Sequence, residues 1–185
     1  MVVISNKREK SRMIAQLFKE EKWAEARTYF LGWLKEEPDS HWLLAQLSET
    51  YCEERKYEKA LEYIEQALKI APRCPLVLWD YATTLDMLDR NEDALKIYKG
   101  LIRRGVYRIA YGECGEGIRW ARSLVNDCRY RLGLLYAGMG EFRLASKYIK
   151  THIANRSRNC PSIYNVRDVK KKLAIILEGK DPRSC

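Results

Sequence analysis

A regular spacing of three alanines is the feature that most restricts the fold of this chain. Ala26, Ala60 and Ala94 lie 34 residues apart, and two large side chains follow each of them three and four residues later. A fixed period of this length is typical of a solenoid, in which each short unit packs on its neighbours. Such proteins usually present a binding surface, so the spacing predicts recognition of another molecule rather than chemistry.

The clearest copy of the repeat, residues 41–74, has the pattern of two helices. Its first half places apolar or small side chains on one helical face: Leu44, Leu47, Ser48 and Tyr51. Its second half carries apolar side chains at helical spacing and ends near Pro72, because proline lacks a backbone donor and clashes with the preceding turn. Pro38 precedes Pro72 by 34 residues, so the ends of two units keep the same period.

These residues resemble the tetratricopeptide-repeat family. Its pattern of a bulky residue, a pair such as Leu-Gly, Tyr, Ala, an aromatic, Ala and Pro is matched here by Leu44, Leu47-Ser48, Tyr51, Ala60, Ile64, Ala67 and Pro72. The resemblance implies an all-α fold, a right-handed superhelical solenoid of helix-turn-helix repeats. It also implies a non-catalytic interaction module that binds a peptide or a segment of a partner protein in a concave groove.

The period predicts one domain over residues 1–185 with four repeats, at about 7–40, 41–74, 75–108 and 126–159. Ala145 follows Ala94 by 51 residues, which is one period plus 17, so we expect an insertion within about 107–125. An unbroken apolar stripe predicts a long helix over 117–138. This insertion is also a candidate surface for self-association, and both a monomer and a homodimer remain open.

The C-terminal residues predict a capping helix over about 163–178. Ser162 is the expected N-cap and Gly179 the expected terminator. A terminal helix with a polar outer face is needed to end a solenoid.

The resemblance implies that the first helix of each repeat lines the groove. The side chains on that face, which we predict to bind the partner, are Trp42, Ala45, Glu49, Leu76, Trp79, Thr83, Asp86, Tyr130 and Leu134. Tryptophan and tyrosine are frequent anchors of bound segments. Trp42 and Trp79 are equally well explained as core residues that pack against the preceding repeat.

Charge is distributed unevenly along the chain. Residues 1–102 have a net charge of −2, whereas residues 103–185 have a net charge of +11. Four arginines in the basic part alternate with aromatic residues and form a candidate polyanion patch: Arg119, Arg122, Arg129 and Arg131. An adaptor that contacts RNA or another polyanion through residues 103–185 is therefore the alternative function, and a solvated basic face is the simpler explanation.

Other functional classes receive little support. The chain has no apolar run long enough to span a membrane. Its six cysteines include no CxxC pair, which favours free thiols and a cytoplasmic protein. Four potential zinc ligands, Cys114, Cys128, His152 and Cys160, have no compact zinc spacing, and the chain contains only two histidines. We therefore predict no catalytic residues, no metal and no cofactor.

Overall fold

The computed structural model describes the backbone of residues 7–183 and the side chains of residues 9–183. This part of the chain is helical apart from turns and one isolated bridge between Ser157 and Cys160. Its helices are α1 (Lys7–Lys19), α2 (Trp23–Leu34), α3 (His41–Glu53), α4 (Tyr57–Ile70), α5 (Pro75–Met87), α6 (Asn91–Arg104), α7 (Val106–Ala110), α8 (Ile118–Gly138), α9 (Phe142–Asn155) and α10 (Val166–Leu177). The predicted all-α fold class is confirmed.

The helices belong to two compact units. The N-terminal unit, Met1–Pro72, contains α1 to α4, and the C-terminal unit, Arg73–Cys185, contains α5 to α10.

The turns inside the helix pairs repeat with the same period as the alanines. Glu21, Arg55, Asp89 and Gly140 all have positive φ angles, between 54° and 78°. The first three lie 34 residues apart and Gly140 follows after 51, as Ala145 follows Ala94. A residue other than glycine is strained by about 1 kcal/mol in the left-handed conformation. The same tight turn nevertheless recurs at each of these positions. The period therefore sets both the helix contacts and the turns.

Small residues allow close helix packing in the N-terminal unit. Ala60 and Ala67 of α4 are fully buried, and the Ser48 hydroxyl of α3 donates a hydrogen bond of 2.9 Å to the Ala60 carbonyl. Phe30 of α2 is also fully buried, in a core shared with Leu47 of α3. The family pattern of small residues thus corresponds to the places where helices touch.

In the C-terminal unit the same principle joins α8 to α9. A Cβ atom on Gly133 would lie 2.5 Å from the Cδ1 of Ile149, so only glycine fits there without displacement of its neighbour. The predicted long helix is confirmed by α8, which begins at Ile118 and ends at Gly138. Residues of the expected insertion form the short helix α7 and a loop that leads into α8.

The C-terminal helix differs from the prediction in its first turn. Asn165 caps α10, since its side chain accepts a hydrogen bond of 2.8 Å from the backbone N–H of Arg167. The prediction of Ser162 as N-cap was wrong: its hydroxyl accepts from the backbone N–H of Tyr164, within the turn that precedes the helix. Gly179 follows the helix with a φ of 72°, as expected of a terminator.

Candidate functional site

The exposed face of α3 contains two of the predicted partner-binding residues. Trp42 retains 43% of its surface, and its ring meets Phe30 edge to face at 6.4 Å. Glu49 is exposed, seven residues further along the same face. Ala45 is 1% exposed and belongs to the core, so its inclusion among the accessible residues is corrected. Trp42 is therefore partly packed and partly available to another molecule.

Glu49 lies in a crowded part of this face. Although Glu49 keeps an exposed surface, desolvation by the atoms around its carboxyl raises the pKa of that group, a hydrogen bond from Gln46 lowers it, and the charge of Glu53 raises it further. The Gln46 amide donates to Glu49 at 3.0 Å. We define the α3 face as Trp42, Gln46, Glu49 and Glu53, which follow one another at helical spacing. It combines an aromatic ring with two carboxylates.

Most of the predicted partner-binding residues of the C-terminal unit lie in its interior. Trp79 is 9% exposed and packs edge to face on Tyr98 at 5.4 Å. Thr83 shares a hydrogen bond of 2.9 Å with the Tyr98 hydroxyl, and Leu76 is half-buried. These contacts make Trp79 a core residue.

Asp86 forms a buried ion pair that the sequence did not indicate. Arg131 of α8 donates to its carboxylate at 2.6 Å, with the two side chains 10% and 6% exposed. The Nε of Arg131 also donates to the hydroxyl of Tyr98 at 3.3 Å. Burial raises the pKa of Asp86, and the charges of Arg131 and Arg183 counteract this rise. Arg131 is therefore a buried residue that stabilises the interior of the unit, and its assignment to the predicted polyanion patch is corrected.

The C-terminal segment of the chain covers the remaining predicted residues of this unit. Tyr130 is 3% exposed, because the ring of Tyr164 lies 4.1 Å away and Lys172 of α10 approaches its ring at 5.9 Å. Leu134 is 4% exposed. Tyr130 and Leu134 are therefore corrected from groove residues to buried ones.

Arg183 extends this cover to Asp86 and to the end of α8. Its guanidinium lies 3.4 Å from the Asp86 carboxylate. A Cβ on Gly138 would overlap the same guanidinium, so Arg183 lies directly against the backbone there. Arg183 and Asp86 are 97 positions apart, and no local sequence signal indicates their contact.

The other three arginines of the predicted patch lie in two different environments. Arg119 is exposed and donates to the carbonyl of Arg158 at 3.2 Å. Arg122 and Arg129 line a cavity of about 320 Å³ in the C-terminal unit. The structure therefore brings two of the four predicted arginines together.

A buried histidine of α9, His152, has a structural role because hydrogen bonds connect it to α8. His152 is fully buried, its Nδ1 lies 3.0 Å from the carbonyl of Asn126, and the Asn126 amide donates to the carbonyl of His152. Burial lowers the pKa of His152, so the ring is neutral and Nδ1–H donates to Asn126. Asp127 accepts from the backbone N–H of Ile163 at 3.2 Å. These hydrogen bonds connect α9 and Ile163 to α8.

The four residues considered as zinc ligands do not converge in the described part of the chain. No group of metal-ligating atoms there contains Cys114, Cys128, His152 and Cys160 together. Burial raises the pKa of both the Cys128 and the Cys160 thiols, which disfavours the thiolate that a metal requires.

Comparison with known proteins identifies the repeat. Residues 53–106, from the end of α3 to the start of α7, match the tetratricopeptide-repeat family. Residues 53–106 therefore contain tetratricopeptide repeats. The comparison with curated proteins gives no match.

Solved structures with the same fold include three described as MamA. The crystal structure of MamA protein is 17% identical, with a TM-score of 0.62 over 95% of this chain and 82% of that one. The MamA RS-1 ArsTM double mutant is 13% identical, with a TM-score of 0.65 over 99% and 89%. MamA 41-end from Desulfovibrio magneticus RS-1 is 14% identical, with a TM-score of 0.62 over 83% and 77%. At these identities the likeness shows the fold.

The tetratricopeptide fold supports a role as a protein-interaction scaffold. Its repeats generally act without catalysis, by presenting helix faces to another protein. Among the helices that the structure describes, none is long and apolar enough to cross a membrane.

Proposed function

We propose that this tetratricopeptide-repeat protein is a non-catalytic adaptor that holds a segment of a partner protein against the α3 face. The observation that carries the proposal is the exposure of Trp42, 43% of whose surface is accessible on a first helix of a repeat. Large aromatic side chains that are rigid and half exposed are frequent anchors in interfaces. The edge-to-face contact with Phe30 holds the Trp42 ring in place before binding.

The charges of the α3 face favour a partner segment with an apolar side chain followed by basic residues. Gln46, Glu49 and Glu53 continue from Trp42 along the helix. Burial raises the pKa of Glu49, and no lysine or arginine of the described chain contributes to that shift. A cation from the partner would therefore meet a carboxylate whose hydrogen-bond donor, the Gln46 amide, is neutral, and complementary charge favours specificity and fast association.

The corresponding residues of the C-terminal unit support a binding role for the N-terminal unit. Tyr130 is covered by Tyr164, and Asp86 is covered by Arg131 and Arg183. A partner would have to displace these groups before it reached the same positions. The α3 face needs no such displacement to expose Trp42.

We further propose that the adaptor works in the cytoplasm. Cys74, Cys128 and Cys160 are buried cysteines that are not joined in disulfides. Structural thiols of this kind are typical of proteins in a reducing compartment.

Affinity capture from a nuclease-treated lysate tests the proposed function. The wild type is compared with Trp42→Ala, with Glu49→Lys, and with the control Leu31→Ala, since Leu31 is 42% exposed on α2. We expect a protein that the wild type and the Leu31 variant retain, and that both α3 variants lose by roughly tenfold or more. Far-UV circular dichroism verifies that each variant is folded.

Two results of this experiment would contradict the proposal. Equal retention by all four proteins would place the partner elsewhere on the chain. Loss of every captured protein after nuclease treatment would favour the alternative, in which residues 103–185 contact RNA or another polyanion.

A further inference from the structure

A cavity of about 320 Å³ in the C-terminal unit is independent of the α3 face. It is lined by residues of α8, by the end of α9 and the residues that follow it, and by the first residue of α7. The residues that line it are Val106, Arg122, Asn126, Arg129, Asn155, Ser157 and Cys160. Its volume is at the lower end of the range of about 300–1,000 Å³ for small-molecule sites. The cavity is therefore large enough for a small ligand or for one side chain of another protein.

Two arginines on one face of α8 give this cavity its chemical character. Arg122 and Arg129 are seven residues apart, with Asn126 between them, so all three project to the same side. Arg122 is exposed and Arg129 is half-buried. The side chain of Arg129 donates one hydrogen bond, of 3.2 Å, to the carbonyl of Val125 in its own helix. A guanidinium has five N–H donors, so most of those of Arg129 are available to a ligand.

Further positive charge surrounds the cavity wall. The charges of Arg129, Arg122 and Arg156 all lower the pKa of the Cys160 thiol, although burial raises it overall. One carboxylate, that of Asp127, also acts on Cys160, but it is 3% exposed, accepts a hydrogen bond from Ile163 and does not line the cavity. Among the described residues whose charges act on Cys160, three are arginines and one is this buried aspartate.

We propose that this cavity binds a phosphomonoester, with Arg122 and Arg129 holding the phosphate oxygens. A phosphomonoester has a charge of about −1.5 to −2 at pH 7 and three acceptor oxygens on one centre. Two guanidinium forks match both its charge and its number of acceptors. Ser157 provides a hydroxyl at the same wall, and Asn155 an amide that also donates to the Oδ1 of Asn126 at 3.2 Å.

The same features argue against two other anions. A carboxylate carries one charge and two oxygens, which a single guanidinium satisfies. A nucleic-acid strand carries one charge per phosphate and extends over several nucleotides, whereas the two arginines converge on one small cavity. The geometry therefore favours a single doubly charged group.

Calorimetric titration at low ionic strength tests the inference with defined probes. The full chain is titrated with inorganic phosphate, O-phosphoserine, serine and acetate. Wild type should give saturable binding to phosphate and phosphoserine, and none to serine or acetate. Arg122→Gln and Arg129→Gln should each weaken that binding roughly 10- to 100-fold, since each removes hydrogen bonds to a charged group. Arg143→Gln removes the same charge from an exposed position on α9 and should leave the affinity unchanged.

The two phosphate probes distinguish the sources of the ligand. Tighter binding of phosphoserine would identify a phosphorylated side chain, and equal binding would identify free phosphate; both results support a site for one doubly charged phosphate group. Circular dichroism shows whether each variant is folded, and the exposure of Arg122 makes its variant the safer one.

Three results would overturn the inference. The first is no saturable heat with phosphate or phosphoserine. The second is equal weakening by Arg143→Gln, which would show a general effect of charge. The third is binding of a single-stranded RNA oligonucleotide where both phosphate probes fail, which would show a polyanion surface instead.

Discussion

The buried ion pair between Asp86 and Arg131 allows a demanding test of how the C-terminal unit is held together. We expect Arg131→Met to destabilise this unit by about 3–5 kcal/mol, the usual effect of leaving one charge of a buried pair alone. The pair joins α5 to α8 at 2.6 Å, and its side chains are 10% and 6% exposed. Little water can therefore reach the carboxylate that remains.

The local contacts place the expected value toward the lower end of that range. Arg183 lies 3.4 Å from the same carboxylate and is 29% exposed, so it retains part of the compensation. The substitution also removes the hydrogen bond from Arg131 to Tyr98, which contributes about 1 kcal/mol. We therefore expect about 3 kcal/mol in total.

Urea unfolding at pH 7, followed by circular dichroism, measures the effect. The double variant Asp86→Leu with Arg131→Met should be less destabilised than the sum of its two single variants, because neither charge is then left alone. Arg143→Met is the matched control and should change stability by about 0.5 kcal/mol or less. A loss below about 1 kcal/mol for Arg131→Met, or additive effects in the cycle, would refute the reasoning.

Three further predictions concern the turns, a histidine and the C-terminal cover. Arg55→Gly should stabilise the chain by roughly 0.5–1 kcal/mol in urea unfolding, since it relieves a left-handed φ, and Gly140→Ala should destabilise it by about 1 kcal/mol; effects of the opposite sign would contradict the account. Burial lowers the pKa of His152 in the folded chain. The contribution of the neutral His152 ring to the free energy of unfolding should therefore be fully present above pH 6.5. It should fall as the pH decreases below that value, by at most about 1.4 kcal/mol per pH unit. The raised pKa of Asp127 acts with the opposite sign at lower pH, so the measurement is the difference between wild type and His152→Gln, and identical pH profiles would oppose the assignment. Tyr164→Ala should lower the free energy of unfolding by about 2–4 kcal/mol and increase amide hydrogen exchange in α8. Unchanged exchange would show that Tyr164 does not cover α8.

The sequence predicted the features of this chain that are local and periodic. The alanine spacing predicted the helix pairs, because small residues recur wherever two helices touch, as Ala60 and Gly133 do. The long helix α8 followed from an unbroken apolar stripe. The left-handed turns repeat with the same period, although glutamate and arginine, the residue types of Glu21 and Arg55, do not mark such a conformation.

Contacts between distant residues could not be predicted in this way. Helical spacing placed Asp86 and Tyr130 on a groove face, but the C-terminal segment covers them in the structure. The burial of Arg131 depends on its pairing with Asp86, 45 residues earlier. Helical spacing also could not separate Trp42, which is 43% exposed, from Trp79, which is 9% exposed, because each is set by its particular neighbours.

Site-specific photocrosslinking tests the central claim, that the α3 face binds a partner protein, most directly. A photoreactive amino acid is introduced at Gln46 on the α3 face, or at the control position Gln66, which is exposed on α4 of the same unit. The account predicts that a partner protein crosslinks from position 46 and not from position 66, and that Trp42→Ala abolishes the product. A partner that crosslinks from position 66 alone, or from position 46 regardless of Trp42, would contradict it.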